Sequence, residues 1–173
     1  MRYDYYYKHI NKNTKGKYDC STLAARPEVF SRLIDDLIRP FRKTAYDLIV
    51  SQEALGLIFG SAAALKTKKG FIPLRKGGKL PTVRTLVARK SFVDYSGKMK
   101  ALEINKGLIK KDVKVLIVDD WIETGAQMKA AILLIESQGG KVVGIAAITA
   151  HRNRGTNLLF EKYNLRPLNV IEE

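Results

Sequence analysis

The sequence predicts an α/β protein in which a central, mostly parallel sheet is flanked by helices. Short apolar and β-branched runs alternate with longer segments of helical spacing along the 173 residues. No low-complexity stretch is present, and no repeat has the length found in repeat proteins. Because 46% of the residues are apolar, the chain can bury one sizeable core. These observations predict a single domain of alternating strands and helices.

The first half of the chain contains four predicted elements: a helix over residues 28–39, a strand over 46–50, a helix over 54–65 and a strand over 70–74. Pro27 and Pro40 bound the first helix, because proline is tolerated in the first turn of a helix but not in its interior. Pro73 predicts that its strand ends there or lies at an edge, since proline cannot donate a ladder hydrogen bond.

The second half of the chain predicts a βαβ unit. Residues 113–118 are an almost continuous apolar run, typical of a parallel strand covered on both faces, and we expect the strand to end at Asp119 and Asp120. A helix with one apolar stripe follows, and residues 142–148 form the next strand. Ligands of parallel sheets bind at the carboxyl ends of the strands, so the two acids should lie at the functional edge.

The segment VLIVDDWIETGAQ, residues 115–127, therefore combines two acids, a loop and a helix amino-terminus. The amides of residues 123–127 can bind a phosphate, because a helix amino-terminus has unpaired N–H groups and a partial positive charge. Thr124 and Gln127 also fit a capping box that would stabilise the helix without any ligand. Adjacent carboxylates need a counter-group such as ribose hydroxyls or hydrated Mg²⁺. Strand side chains alternate between faces, so we expect one acid to contact the ligand and the other to brace the loop.

The charge of the chain is concentrated in one stretch. The net charge is +14, and residues 66–114 contain fifteen Lys and Arg against three Asp and Glu, a net charge of +12. Such a stretch predicts an anionic ligand, either a phosphate-rich small molecule or nucleic acid, or else a solvated basic face.

Several classes of protein are excluded by what the sequence lacks. Cys20 is the only cysteine, so no intrachain disulfide is possible, and no cysteine cluster accompanies either histidine to suggest a zinc site. Neither a P-loop nor a dinucleotide-binding glycine motif occurs. The longest stretch without a charged residue is residues 54–65, too short to span a bilayer, and the amino-terminus has no apolar signal segment. We therefore expect a cytoplasmic protein that does not contact membranes.

Three motifs resemble those of one family. VLIVDDWIETGAQ resembles the phosphoribosyl-pyrophosphate signature of the type I phosphoribosyltransferases. GFIPLRKGGKLP, residues 70–81, is similar to a segment of the adenine phosphoribosyltransferases, and SFVDYSGKMKALEI, residues 91–104, is similar to their flexible lid. The resemblance covers roughly residues 19–168 and implies the type I phosphoribosyltransferase fold, with a small amino-terminal hood over about residues 1–25 and a lid over about residues 84–104.

This resemblance implies a role for each motif. Asp119 and Asp120 would hold the ribose hydroxyls and, through water, Mg²⁺, which neutralises the pyrophosphate. The 5′-phosphate would be bound by the loop of Glu123, Thr124, Gly125, Ala126 and Gln127. The pyrophosphate would be met by two basic or glycine-containing segments, namely Glu53, Ala54, Leu55 and Gly56 together with Arg75, Lys76 and Lys79.

Three departures from the adenine enzymes leave the substrate base open. Leu55 stands where they usually carry arginine, Glu123 where they carry alanine, and Gln127 where they carry threonine. The E-A-x-G form of residues 53–56 is instead similar to xanthine phosphoribosyltransferases and related purine-responsive regulators. Adenine, guanine, hypoxanthine and xanthine therefore all remain candidate bases.

Two acids are candidates for the proton-transfer group. Glu123 can act as a general base beside the purine, or it can be a surface glutamate favoured by the helix dipole. Asp94 and Tyr95 resemble the acidic-aromatic pair of the lid, which makes Asp94 a competing acid or base. The ring of Trp121 either stacks on the base or packs beneath the loop.

Together these features predict a Mg²⁺-dependent purine phosphoribosyltransferase of purine salvage, a single-domain homodimer. It would transfer the phosphoribosyl group from phosphoribosyl pyrophosphate to a purine base, giving a nucleoside monophosphate and pyrophosphate. The alternative is a non-catalytic regulator that senses phosphoribosyl pyrophosphate and uses the basic stretch to bind nucleic acid.

Overall fold

The computed structural model describes residues 3–14, 18–94 and 96–173. The strands are β1 (Leu48–Gln52), β2 (Gly70–Lys76), β3 (Val87–Val93), β4 (Met99–Asn105), β5 (Lys114–Ile122), β6 (Lys141–Arg152) and β7 (Leu165–Glu172). The helices are α1 (Asp4–Tyr7), α2 (Ser21–Ala24), α3 (Pro27–Ile38), α4 (Gly56–Thr67), α5 (Ala126–Ser137) and α6 (Asn157–Lys162). Short 3₁₀ turns lie at Arg39–Phe41 and Arg84–Leu86.

The seven strands form one sheet in the order β3-β4-β2-β1-β5-β6-β7. Within this order, the five neighbouring strands β2, β1, β5, β6 and β7 run parallel to one another. The hairpin of β3 and β4 joins the sheet antiparallel to β2, and it accounts for most of the segment predicted as a lid. The predicted α/β class, with a mostly parallel sheet between helices, is confirmed.

Helices cover the two faces of the sheet and create two apolar clusters. On one face, α5 packs against side chains such as Val115 and Ile117. On the other face, α3, α4 and the amino-terminal segment cover Leu116 and Val118. Successive residues of β5 are therefore fully buried on alternate sides, which explains why this strand is continuously apolar.

Strand β5 does not end at the paired acids, and that prediction is wrong. The strand continues to Ile122, because β6 extends alongside it and pairs Asp119 with Ala147 and Trp121 with Thr149. Polar side chains do not interrupt a ladder whose hydrogen bonds are made by the backbone. The acids consequently have the fixed geometry of strand residues rather than that of a loop.

Pro73 lies where the sequence predicts an edge. Strand β2 pairs with β1 over its first five residues, whereas it pairs with β4 only at Arg75 and Lys76. At Pro73, β2 therefore has a single described neighbour, so the missing N–H of proline is tolerated.

The amino-terminal segment is attached to α3 by a buried polar contact. Tyr6 is fully buried, and its hydroxyl donates a 2.5 Å hydrogen bond to Oδ2 of Asp36. Asp36 is itself buried and forms an ion pair with Arg39. A buried carboxylate needs such partners, so this contact holds α1 against the domain.

Within the described residues, no helix has both the length and the apolar character needed to cross a membrane.

Replacing Tyr6 with Phe should destabilise the chain by about 1–3 kcal/mol, because Asp36 then loses a buried donor. Urea unfolding measures this difference. Tyr5→Phe in the same short helix is the matched control, since Tyr5 is less buried and the substitution keeps its ring. Equal stabilities of the two variants would contradict the anchoring role of Tyr6.

Candidate active site

A cavity of about 240 Å³ opens at the carboxyl ends of β1 and β5. Its walls come from the residues after β1, the end of β5, the loop before α5 and the tip of the β3–β4 hairpin. The segments singled out at residues 53–56, 70–81, 91–104 and 115–127 therefore all contribute to this cavity, whereas Arg75 and Lys79 are not among its described lining residues. The lining includes Glu53, Lys76, Asp94, Asp120 and Thr124.

The two adjacent acids occupy different environments. Asp119 is 6% exposed, and both of its carboxylate oxygens accept hydrogen bonds: Oδ2 from Nε2 of Gln52 at 2.7 Å and Oδ1 from the amide of Asp120 at 3.0 Å. Burial, together with the charge of Asp120, raises the pKa of Asp119 well above its ordinary value. Asp120 is only partly buried. Asp119 thus has the geometry of the bracing acid, and Asp120 that of the acid presented to a ligand.

Gly56 is required where α4 begins, because the chain approaches Asp119 there. A Cβ at position 56 would lie 2.5 Å from Oδ1 of Asp119. Any side chain would displace the carboxylate, so glycine allows the amino-terminus of α4 to reach the acid pair.

The loop before α5 has the geometry of a phosphate-binding loop. Gly125 is the N-cap of α5 with φ +74°, and no side chain caps the helix at that position. The hydroxyl of Thr124 receives only a long 3.4 Å contact from the amide of Ala126. The predicted capping box between Thr124 and Gln127 is therefore not formed, because the helix begins one residue later than that box requires. Gly125 and Gln127 line the cavity, so the amino-terminus of α5 lies at its wall, where a helix end favours an anion.

The turn after β6 supports this loop, and sequence reasoning missed it. A Cβ at Gly155 would lie 2.4 Å from the carbonyl oxygen of Thr124, so the two segments are in direct contact. Nδ2 of Asn153 donates to the carbonyl oxygen of Glu123 at 3.1 Å. The Asn-x-Gly-Thr sequence at residues 153–156 was the available signal, since such residues form turns at the end of a strand.

The predicted pyrophosphate residues are joined through one carboxylate. Glu53 accepts hydrogen bonds from Nε of Arg75 at 3.0 Å, the amide of Lys76 at 3.0 Å and Nζ of Lys79 at 3.4 Å. Although burial opposes its ionisation, these hydrogen bonds lower the pKa of Glu53 to about 2. The Glu53 side chain therefore orders the cations, while Ala54 and Leu55 line the cavity.

A second cavity of about 530 Å³ adjoins the first and shares Lys76, Asp94 and two further residues with it. Its lining adds the cations Lys79, Arg89 and Lys100. An anionic group that extends from the acid pair would therefore meet positive charge.

The tip of the β3–β4 hairpin holds Asp94 in an ionised state. Its Oδ1 accepts hydrogen bonds from the hydroxyl and the amide of Ser96 and from the amide of Lys98. The hydroxyl of Ser96 is the main reason that the pKa of Asp94 is lowered. Asp94 is accordingly ionised rather than a proton donor, and its lowered pKa makes it a weaker base than an ordinary carboxylate. Tyr95, the other predicted lid residue, lies outside the described residues.

The amino-terminal segment contacts the cavity wall at Trp121. The ring of Trp121 lies 5.8 Å from that of Tyr18 and 6.0 Å from that of His151, measured between centroids. Trp121 also lines the cavity. Within the same segment, burial and the charge of Asp120 raise the pKa of the Cys20 thiol to about 12, so the thiol stays protonated.

The donor set fits a Mg²⁺ ion that is shared with a ligand. Among the described residues, no group of three or more His, Cys, Asp or Glu side chains is arranged to hold a metal ion. Mg²⁺ is usually bound by one or two carboxylates together with water and substrate phosphates. Asp120 supplies such a carboxylate at the cavity wall.

Comparison with known proteins agrees with this geometry. Residues 26–171 match the phosphoribosyl transferase domain. The adenine phosphoribosyltransferase of Koribacter versatilis is 40% identical over 131 residues, which cover 76% of this chain and 70% of the relative. That of Pseudothermotoga lettingae is 40% identical over 126 residues, or 73% and 72% of the two chains. The crystal structure of adenine phosphoribosyltransferase from Thermoanaerobacter pseudethanolicus superposes with a TM-score of 0.86 at 27% identity, covering 98% of this chain and 99% of that one.

The chain therefore belongs to the phosphoribosyltransferase family. Within that family, the relatives described above are adenine phosphoribosyltransferases. The family and the fold inferred from the three sequence motifs are both confirmed.

Glu53 should make the stability of the chain depend on pH. Its pKa of about 2 in the folded chain lies below the ordinary value of 4.5. Its contribution is therefore complete above about pH 4.5 and is lost as the pH falls towards 2. Glu53→Gln should cost about 1 kcal/mol at pH 7, because the partner cations are partly exposed and screened.

Urea unfolding of the wild type and Glu53→Gln at several pH values between 7 and 2.5 tests this dependence. The difference between the two should shrink as the pH falls. Glu161→Gln, at an exposed position of α6, is the control and should show no comparable difference. A Glu53→Gln difference that stays constant with pH would contradict the proposed linkage.

Proposed function

We propose that this chain transfers the phosphoribosyl group of phosphoribosyl pyrophosphate to a purine base, with adenine as the leading candidate. The observation that carries the proposal is the convergence of three groups in one cavity: the acid pair, the amino-terminus of α5, and Glu53 with Lys76, while Lys79 lines the adjoining cavity. Relatives 40% identical are named adenine phosphoribosyltransferases, which supports both the reaction and the base.

The three groups correspond to the three parts of the donor molecule. The amides of the loop from Glu123 to Gln127 bind the 5′-phosphate, since a helix amino-terminus favours negative charge. Asp120 accepts hydrogen bonds from the ribose hydroxyls, while Asp119 braces it. Arg75, Lys76 and Lys79 meet the diphosphate, with the backbone of residues 53–56 beside them.

Electrostatic placement supplies most of the catalysis in this proposal. As the bond between ribose C1 and the diphosphate oxygen breaks, the electron pair leaves with the diphosphate, and the cations stabilise that charge. The ring carbon becomes more positive next to the carboxylate of Asp120. The base nitrogen then bonds to C1 and releases a proton. Asp120 would help to hold Mg²⁺, which would neutralise part of the diphosphate charge.

Asp94 and Glu123 are the two carboxylates that line the cavity as proton acceptors. Asp94 lies on the hairpin that we propose as the lid over residues 84–104, so its closure would also exclude water. Separate Asp94→Asn and Glu123→Gln variants show which carboxylate accepts the proton of the base. Loss of the true acceptor should remove the acidic limb from the plot of rate against pH.

The remaining expectations are predictions of this proposal. They comprise a hood over residues 1–25, a homodimer and a cytoplasmic location. The alternative function, a regulator that binds nucleic acid, also stays a prediction. Four cations of the basic stretch already form ion pairs within the chain, which reduces the positive charge open to nucleic acid: Lys66, Arg75, Lys79 and Arg89.

A panel of bases tests the activity. Pyrophosphate release is measured with phosphoribosyl pyrophosphate and Mg²⁺ against adenine, guanine, hypoxanthine, xanthine, uracil and orotate, with a control that lacks any base. Release with adenine alone is the expected result. Release with another purine would change the substrate, whereas silence across the panel with donor-induced thermal stabilisation would favour the regulator.

Asp120→Asn should lower kcat by about 10²-fold or more, because it removes a charge placed for the transition state. The variant should fold normally, since Asp120 is only partly buried. Asp112→Asn, at an exposed ion pair with Lys141 on the surface, is the control and should retain activity. An unchanged rate for Asp120→Asn would remove the central assignment.

A further inference from the structure

Gln52 is a polar residue in an apolar setting at the end of β1. It is 1% exposed and lies on the same face of the sheet as Val50, towards α5. Val50 pairs with Ile117 of β5, so the same register places Gln52 beside Asp119 two residues further on. The two side chains meet because parallel neighbours at equivalent positions share a face.

Of the two polar side-chain atoms of Gln52, only Nε2 has a hydrogen-bond partner among the described residues. Nε2 donates a 2.7 Å hydrogen bond to Oδ2 of Asp119 and lies 3.9 Å from Sδ of Met128. Oε1 is buried and, among the described residues, has no hydrogen-bond partner. An unsatisfied buried carbonyl is unfavourable, and a methionine side chain would fill the same space without that cost. The presence of an amide at this position therefore needs a reason, and its contact with Asp119 supplies one.

We infer that Gln52 is a positioning residue for donor binding, which acts through Asp119. Gln52 fixes Oδ2 of Asp119, and Oδ1 of Asp119 accepts the amide of Asp120. This chain of hydrogen bonds joins β1 to β5 and sets the direction in which the Asp120 carboxylate faces the cavity. The inference rests on the proposed function, because it assumes that Asp120 holds the ribose of the donor.

The neighbouring residue shows that an unsatisfied polar atom does not by itself mark this role. Oγ of Ser51 is also buried without a partner among the described residues. Ser51 faces α4, where a Cβ at Gly60 would lie 1.7 Å from its hydroxyl oxygen. Its side chain packs against a helix, whereas that of Gln52 contacts the acid pair and lines the cavity.

The test compares Gln52→Met, which keeps the shape, with Gln52→Asn, which keeps the amide but is one methylene too short to reach Asp119. Both should weaken the affinity for phosphoribosyl pyrophosphate with Mg²⁺ at least fivefold, measured by calorimetry and by donor-induced thermal stabilisation. In turnover, the KM for the donor should rise while the KM for the base changes less than twofold. Asn105→Ala removes an amide of β4 whose buried Oδ1 also has no partner in the described part of the chain, and it should leave donor affinity unchanged.

A double-mutant cycle separates positioning through Asp119 from direct contact or simple packing. In an Asp119→Asn background, Gln52→Met should weaken donor binding less than twofold further. An additive loss in that background would overturn the inference, as would equal losses of donor and base affinity. If Gln52→Met does not fold, Gln52→Asn alone decides between the outcomes.

The two proposals fail in distinguishable ways. If the wild type binds the donor and turns over, but both Gln52 variants bind it as well as the wild type does, the role of Gln52 is wrong and the proposed function stands. If the wild type neither binds the donor nor releases pyrophosphate with any base, both proposals are wrong.

Discussion

The buried carboxylate of Asp119 is the constraint around which the cavity is arranged. Its two oxygens are satisfied by Gln52 from β1 and by the backbone of Asp120, while Gly56 of α4 lies against it. Burial of a carboxylate is unfavourable unless its partners are in place. The position of this one group therefore fixes the spacing of β1, β5 and α4 at the edge where a ligand binds, and it orients the more exposed Asp120.

Two kinds of group supply positive charge around the cavity, namely backbone amides on one side and cationic side chains on the other. At the loop before α5, the positive potential comes from backbone amides, whose placement depends on the left-handed Gly125 and on the supporting turn of Asn153 and Gly155. On the other side, it comes from side chains that Glu53 draws together. Without that carboxylate, Arg75 and Lys79 would repel each other across a small gap. A molecule with phosphate groups at both ends of a ribose matches this distribution.

The sequence alone determined the class of fold and the identity of the main segments. The continuous apolar run before Asp119 required a strand covered on both faces, and the threonine-glycine pair after it required a helix amino-terminus. Local patterns of this kind depend only on residues that are close in the sequence, so they can be recognised without a structure. The motifs at residues 70–81 and 91–104 likewise indicated the family, because their order and spacing are specific.

Tertiary structure decided which side chains act on one another. The continuation of β5 to Ile122 depended on the length of β6, and the roles of the two acids depended on the register between β1 and β5. The pairing of Glu53 with Arg75, the support of Glu123 by Asn153 and the contact of Gln52 with Asp119 each join residues at least 22 positions apart. A sequence pattern specifies what each segment can form, but contacts between segments exist only once the sheet has brought them to a common edge.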